Sequence, residues 1–250
     1  MLRSVNDIKN YVLQAIDGDI GRCKDFLFDD ARWTIRYMVA DTRKWLPGRK
    51  VLISPESLAQ PDWFRKRFPI PLNRQQIKAS PPLETDEPVS RQYESRWREY
   101  YGLPRYWLGP GGTGAIYSPM VPSVEDQEAQ IKEDIAPENG QLRSAQEVIG
   151  YHIQALDGEI GHVEDFLVDD LNWTLDYIVV DTRNWLPGRR VVVPPQWADT
   201  VSWSERKVIV KLNREKIKNS PEYDPAELPN RQYEELLCNH YGIRPERKKR

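Results

Sequence analysis

The chain has 250 residues, 30% of them charged, and a formal net charge of −2. No stretch approaches the roughly 18 uninterrupted apolar residues of a membrane span, and residues 1–7 contain no apolar signal core. We therefore expect a cytoplasmic chain without a membrane span. The two cysteines, Cys23 and Cys238, indicate neither a disulfide framework nor a metal site.

An internal repeat is the most informative feature. Residues 2–102 align with residues 142–242 without a gap, and 44 of the 101 aligned positions are identical. A match of this length indicates one small domain used twice. We expect repeat 1 over residues 1–102, a flexible Gly/Pro-rich and acidic linker over 103–141, repeat 2 over 142–242 and a basic tail over 243–250.

The first half of each repeat predicts short β-strands. Residues 11–16 and 20–28 flank Asp17-Gly18, a pair typical of a two-residue type I′ hairpin turn. Gly21 indicates a bulge or sharp bend in the second strand. Residues 33–40 alternate, with the odd-numbered side chains, beginning at Trp33, on one face.

The second half predicts further strands and then helices. Pro47-Gly48 favours a type II turn before a strand over residues 50–54, and residues 68–72 and 207–212 supply another strand. A short helix over 73–78 and an amphipathic helix over 91–101 follow, and both recur in repeat 2. Gly102 and Gly242 are the expected stops of the last helix. The fold class is therefore mainly β, with two tandem small antiparallel barrels built from sequential hairpins, each with short C-terminal helical additions.

The residues that could carry catalysis are few. Asp29-Asp30 and Asp169-Asp170 are expected to cap backbone amides in turns, with weak cation binding as an alternative. His152, His162 and His240 do not fall at equivalent positions, so no repeated metal site or general base is predicted. No hydrolase elbow or zinc-protease motif occurs. We predict no enzyme and no cofactor.

The candidate interaction surface is the turn that both repeats share. Arginine can present a bidentate fork to an acidic partner, and tryptophan beside a Pro-Gly turn can anchor an interface. Local ion pairing and packing over the barrel mouth remain open as alternatives. The residues are Asp41, Arg43, Trp45 and Arg49 in repeat 1 and Asp181, Arg183, Trp185 and Arg189 in repeat 2.

The two repeats differ in charge. Repeat 1 has 18 Lys and Arg against 14 Asp and Glu, whereas repeat 2 has 11 against 17. Lys24 aligns with Glu164, and Arg36 aligns with Asp176. These positions are either drift on a solvated surface or inter-repeat charge contacts between complementary faces.

Nucleic acid is the main alternative partner. Residues 63–68 mix aromatic and basic side chains, and residues 247–250 are basic, as in proteins that bind single strands. The slightly acidic chain opposes phosphate-driven affinity, so we do not expect direct nucleic-acid binding.

One group of residues in each repeat carries a resemblance to a known family. They are Gly18, Ile20, Gly21, Asp25-Phe26-Leu27, Asp29-Asp30 and Arg36-Tyr37-Met38-Val39 in repeat 1, and Gly158, Ile160, Gly161, Asp165-Phe166-Leu167 and Tyr177-Ile178-Val179-Val180 in repeat 2. With them, each repeat resembles the PRC-barrel family. The Trp-Leu-Pro-Gly-Arg turn, the Ser-Pro after the short helix and the Tyr-Gly ending are similar to its stand-alone bacterial branch. The family includes the cytoplasmic barrel of the photosynthetic reaction-centre H subunit and the C-terminal domain of the ribosome maturation factor. The resemblance implies a small β-barrel that docks against other proteins, and it implies no activity.

The sequence and this resemblance together favour a non-catalytic docking or scaffolding module whose protein partner is not identified. Self-association and barrel–barrel packing stay open. The alternatives are a ribosome- or RNA-associated assembly factor and a small-ligand or cation sensor. An accessory of a photosynthetic or electron-transport complex rests on the family resemblance only.

Overall fold

A computed structural model describes residues 1–42, 46, 50–81, 89–108, 141–182, 189–227 and 229–242. The chain divides into two compact units. Unit 1 contains Met1–Ile8, Trp33–Ile35 and Ser144–Arg250, and unit 2 contains Lys9–Arg32 and Arg36–Arg143. The units do not coincide with the repeats, because each one includes a short segment of the other repeat.

Over its described residues, repeat 1 has six strands and three helices. In chain order they are β1 (Leu2–Ser4), α1 (Val5–Ile8), β2 (Val12–Ala15), β3 (Gly18–Asp29), β4 (Thr34–Asp41), β5 (Val51–Ile53), β6 (Arg67–Pro69), α2 (Arg74–Ala79) and α3 (Arg91–Tyr100). Short 3-10 turns cover Pro55–Ser57 and Tyr106–Leu108.

Repeat 2 has the same elements and one more strand. In chain order they are β7 (Leu142–Ser144), α4 (Ala145–Val148), β8 (His152–Ala155), β9 (Gly158–Asp169), β10 (Leu175–Asp181), β11 (Arg190–Val193), β12 (Ala198–Ser202), β13 (Lys207–Val210), α5 (Arg214–Lys218) and α6 (Arg231–Tyr241). A 3-10 turn covers Pro195–Trp197. No described helix is long and apolar enough to cross a membrane.

The predicted mainly β class is confirmed, but the sheets are mixed. Unit 2 has the strand order β5-β4-β3-β2-β6, and unit 1 has β11-β10-β9-β8-β13-β12. The pairs β2–β6 and β8–β13 are parallel, so the expected succession of antiparallel hairpins is wrong at this point. The loops after β5 and β11 bring the chain back in the direction of β2 and β8. Among the described residues no pairing joins β5 to β6 or β11 to β12, so each sheet is an open path over this part of the chain.

The long strands β3 and β9 bend at the glycines that the sequence singled out. The register between β2 and β3 shifts just before Gly21, which has a φ of +140°. A Cβ atom there would lie 1.9 Å from the carbonyl oxygen of Asp41. Gly161 repeats this arrangement against Asp181, at 2.1 Å. The bulge predicted at Gly21 is confirmed by this register shift, and the close approach of the end of β4 leaves no space for a side chain there.

Two local predictions, the centre of one turn and the first residue of one strand, are wrong in detail. The β2–β3 turn residues are Ile16 and Asp17, and Gly18 already pairs with Ala15, so Asp17-Gly18 is not the centre of a type I′ turn. Trp33 lies before its strand at a φ of 51°, as Trp173 does at 59°. The carboxylate of Asp29 accepts from the amides of the next turn and delays the start of β4.

The two C-terminal helices of each repeat lie within one residue of their predicted bounds, whereas α1 and α4 were not predicted. Asn73 and Gln76 form a capping box at the start of α2, which satisfies two amides that would otherwise lack a partner. Gly242 ends α6 in the left-handed conformation, with a φ of 71°. In unit 2, Trp97 of α3 packs edge-on against Tyr37 of β4, with ring centroids 4.9 Å apart.

The first strand of each repeat pairs with the long strand of the other repeat. β1 pairs antiparallel with β9, Leu2 opposite Asp169 and Ser4 opposite Leu167, and β7 pairs with β3. Arg3 Nε donates to Asp170 Oδ2 at 3.1 Å, and Arg143 Nε donates to Asp30 Oδ2 at 2.7 Å. We call Leu2–Ile8 and Leu142–Arg143 the exchanged segments.

A second contact inside unit 1 joins a residue to its own counterpart. Thr34 bridges to Thr174, the Ile35 amide donates to the Trp173 carbonyl at 2.8 Å, and the Leu175 amide donates to the Trp33 carbonyl at 2.7 Å. Residues at equivalent positions therefore bond reciprocally within unit 1.

Asp165 holds the exchanged segment Leu2–Ile8 in unit 1. Its carboxylate accepts from Ser4 Oγ and, at 3.1 Å, from the Asn6 amide. Burial raises the pKa of Asp165 from 3.8 to about 6, against the opposing effect of these hydrogen bonds. The folded state therefore holds the proton more tightly than the unfolded chain does.

We expect this carboxyl to make unit 1 less stable as the pH rises from about 4 to about 6, by about 1.4 kcal/mol for each unit between its unfolded and folded pKa values. Asp165→Asn, which cannot ionise, should remove this slope. The measurement is urea unfolding of wild type and variant across that pH range. A variant that keeps the wild-type slope would contradict the assignment.

Candidate functional site

The shared turn is only partly described by the structure. Arg43, Trp45, Arg49, Arg183 and Trp185 lie outside the described residues. The residues on either side of the turn are described in repeat 2. Asp181 is 1% exposed, and Thr182 Oγ1 donates to the Arg189 carbonyl at 2.8 Å. Arg189 Nη2 donates to the Ser220 carbonyl at 2.7 Å. In repeat 1, Asp41 ends β4, and the Leu46 amide donates to the Thr42 carbonyl at 2.9 Å.

The structure describes the surroundings of the four residues that could make charge contacts between the repeats, Lys24, Arg36, Glu164 and Asp176. Arg36 lies 3.3 Å from the buried Asp29, and its guanidinium is 3.8 Å from the ring centroid of Tyr106. Glu164 accepts from Arg190 Nε at 2.6 Å. Asp176 accepts from Thr174 Oγ1 at 2.7 Å, and Lys24 is exposed on β3. Arg36, Glu164 and Asp176 thus each contact a partner within their own unit, and charge contact between the repeats stays a prediction.

The paired aspartates have structural partners. Asp29 Oδ1 accepts from the Ala31 amide at 3.0 Å, and Asp169 Oδ1 accepts from the Leu171 amide at 2.8 Å. The second aspartate of each pair, Asp30 or Asp170, forms an ion pair with the arginine of an exchanged segment. This division of roles fits the expected turn capping, and the ion pair is a role that the sequence alone did not indicate.

The most prominent exposed feature of unit 2 is a basic surface with an aromatic tip. Phe64 is 95% exposed in the turn before β6, where Asp62 Oδ1 accepts from the Arg65 amide at 2.8 Å. Arg65 and Lys66 follow it and are exposed. Beneath the tip, Trp63 packs edge-on against Phe68 at 6.0 Å, so the turn has an aromatic base.

The adjoining sheet extends this basic surface. Val12 of β2 lies opposite Arg22 of β3 on one side and Arg67 of β6 on the other. Residues that are directly opposite each other share a face of the sheet. Arg67 pairs with Asp19 at 2.8 Å. We define the basic face as Val12, Arg22, Lys24, Phe64, Arg65, Lys66 and Arg67.

Unit 1 carries different chemistry at the equivalent positions. In alignment order they are His152, His162, Glu164, Ser204, Glu205, Arg206 and Lys207. The aromatic tip and three of the cations are thus replaced. The charge difference between the repeats is therefore located in part on this face.

The sequence indicated the 63–68 segment but not the whole basic face. Arg22 and Arg67 are far apart in the chain, and they come to share a face of the sheet only because β2 pairs in parallel with β6. A scan for local basic clusters could find Arg65-Lys66-Arg67 and would miss Arg22 and Lys24.

A buried polar cluster at the end of repeat 1 was also missed. Glu94 of α3 is 2% exposed, accepts from Tyr106 Oη at 2.7 Å and pairs with Arg91 at 2.9 Å. Burial raises the pKa of Glu94 to about 7, against the effect of Arg91 and Tyr106. Arg98, fully buried, pairs with Glu56 at 2.9 Å. The cluster fixes the Tyr106–Leu108 turn onto unit 2.

Comparisons with known proteins identify no relative: no family model and no curated protein matches this chain. The candidate site is therefore defined by its geometry. An exposed aromatic residue on a supported turn, with Arg65 and Lys66 next to it in the chain, can bind a complementary surface.

Proposed function

We propose that the chain is a non-catalytic docking protein made of two PRC-type β-barrels, and that the basic face of unit 2 is its main contact with a partner. The observation that carries the proposal is Phe64, a large apolar side chain that is 95% exposed on a turn with an aromatic base. Exposed aromatic residues of this kind act as interface anchors when a partner pocket desolvates them.

The charges around Phe64 indicate the chemistry of the partner. Arg65 and Lys66 follow the anchor, and Arg22 and Lys24 lie on the adjoining sheet; Asp62 Oδ2, 3.6 Å from Arg65 Nη1, is the acidic group of this turn. Such a surface favours an acidic protein surface with an apolar pocket at its centre. Complementary charge raises the association rate, whereas the apolar anchor slows dissociation.

The equivalent turn of repeat 2 shows which residues to place at the anchor of repeat 1. Phe64→Ser together with Arg65→Glu gives the turn the residues that unit 1 has at Ser204 and Glu205. Both changed side chains are exposed, so we expect normal folding and at least about tenfold weaker capture of the partner, since interface anchors contribute about 2 kcal/mol or more. The control is Leu171→Ser, which removes another exposed apolar side chain in unit 1.

The test is capture by tagged full-length protein after nuclease treatment, with each captured protein then purified and its affinity measured for all three forms. A partner that is lost with the Phe64/Arg65 variant and retained with the control supports the proposal. Capture that is equal for all forms would contradict it. Ribosomal proteins that disappear on nuclease treatment would instead favour the RNA-associated alternative.

A further inference from the structure

Two of the three histidines lie side by side on the sheet of unit 1. His152 of β8 is directly opposite His162 of β9. The same row continues on both sides, to Lys207 of β13 and to Asp181 of β10. Repeat 1 has Val12 and Arg22 in place of the histidines, so the pair belongs to unit 1 alone. A comparison that looks for metal-binding residues shared by both repeats therefore cannot find this pair of histidines.

The backbone places the two imidazoles at the shorter of the two cross-strand spacings. The His152 amide donates to the Arg206 carbonyl at 3.0 Å, toward the loop before β13 and away from β9. His152 and His162 are therefore a non-hydrogen-bonded pair, in which the Cα atoms are about 4.5 Å apart and the side chains are closest. Two imidazole nitrogens at that spacing can reach one metal ion at about 2.0–2.1 Å each.

Each histidine also has a carboxylate next to one ring nitrogen. His152 Nδ1 lies 3.8 Å from Glu159 Oε2, and His162 Nε2 lies 3.7 Å from Asp181 Oδ2. Metal-binding histidines commonly turn one nitrogen toward a carboxylate, which orients the ring and leaves the other nitrogen for the metal. The buried Asp181, 1% exposed, is the more rigid of the two orienting groups.

The surrounding charges allow a dication to bind. Lys207 Nζ is 3.0 Å from Glu159 Oε1, so its charge is paired, and Asp181 adds a negative charge on the other side of the row. Both rings are reachable, since the His152 side chain is 53% exposed and that of His162 is 34% exposed. Within the described part of the chain no three His, Cys, Asp or Glu side chains are placed to hold a metal ion together. The site would thus use two protein nitrogens and complete its coordination with water.

We propose that His152 and His162 form a two-histidine site for one late transition-metal dication of the Zn²⁺ class. Imidazole nitrogen suits Zn²⁺, Cu²⁺ and Ni²⁺ and not Mg²⁺ or Ca²⁺, which take oxygen ligands. Glu159 and Asp181 are positioning residues that orient the rings. The site lies on the face of unit 1 that corresponds to the basic face of unit 2, and it does not depend on the proposed docking function.

The test is calorimetric titration of the untagged full-length protein with ZnCl₂ and, as a comparison, with MgCl₂. We expect one equivalent of Zn²⁺ and no Mg²⁺ to bind. His152→Ala and His162→Ala should each weaken Zn²⁺ binding by at least about tenfold, a loss in the range seen when metal sites are perturbed. The matched control is His240→Ala, because His240 bonds to the Lys216 carbonyl at 2.8 Å on different elements.

A second readout does not depend on affinity. The chain has three histidines, so nitrogen NMR of the imidazoles should show Zn²⁺-induced shifts for two of them and none for His240. The His152 side chain is exposed and that of His162 is half-buried, and circular dichroism of each variant checks folding. Zn²⁺ binding that persists in the double variant, the absence of any Zn²⁺ binding by wild type, or equal shifts at all three histidines would overturn the proposal.

Discussion

Gly21→Ala should destabilise unit 2 by about 3 kcal/mol or more. The new Cβ would lie 1.9 Å from the carbonyl oxygen of Asp41, so β3 and the end of β4 would have to move apart. Overpacking of this kind costs about 1–3 kcal/mol, and a side chain at a φ of +140° adds about 1–3 kcal/mol of backbone strain. Gly161→Ala should act in the same way on unit 1, where the distance to Asp181 is 2.1 Å.

The control for Gly21→Ala separates the cost of atomic overlap with Asp41 from the cost of backbone strain at a positive φ. Gly102 in the same unit also has a positive φ, +65°, but a Cβ there would meet nothing within 4 Å. Gly102→Ala should therefore cost only the strain, about 1–2 kcal/mol. Calorimetric unfolding of the full chain measures both losses. A loss for Gly21→Ala no larger than that for Gly102→Ala would show that the close approach to Asp41 is not a constraint.

Cutting the chain between residues 109 and 140 should leave its two halves associated. Unit 1 contains Met1–Ile8 and Trp33–Ile35 from the first half, and the rest of it comes from the second half. Leu2, Val5 and Ile8 are 4%, 2% and 1% exposed, and burying such side chains stabilises by about 1.5–3 kcal/mol each. The halves should therefore elute together from a sizing column.

The experiment needs a specific protease site inserted in that range and a control for complete cutting. Denaturing electrophoresis should show two fragments, and urea should separate them on the column. Leu2→Asp, which places a charge where a buried leucine lies, should weaken the association of the cut halves and leave the uncut chain as a single species. Halves that separate in native buffer at micromolar concentration would contradict the exchange of segments.

Local signals in the sequence predict the elements well. The alternating runs, the bulge at Gly21 and the stop at Gly242 all depend on near neighbours in the chain, where residue type directly restricts the backbone. The same signals misplace Trp33, because the Asp29 carboxylate caps the turn and sets the first residue of β4.

The candidate sites depend on neighbours that are distant in sequence. Arg22 and Arg67 share a face because β2 runs parallel to β6, and His152 meets His162 through the register of β8 on β9. A register shift of one residue would place each of these side chains on the other side of the sheet. The sequence predicts strands at these positions, but it does not state which residues are opposite each other.

The residue pattern alone predicts the repeat of residues 2–102 as 142–242, the mainly β class, the bulge at Gly21 and the ends of the last helices. It could not determine which copy each first strand joins. Leu2-Arg3-Ser4 and Leu142-Arg143-Ser144 are identical, and so are their acceptors Asp30 and Asp170. Pairing within a repeat and pairing between repeats would therefore use the same side chains and the same ion pair. The folded structure distinguishes the two pairings, because the choice depends on where the chain carries each strand and not on residue type.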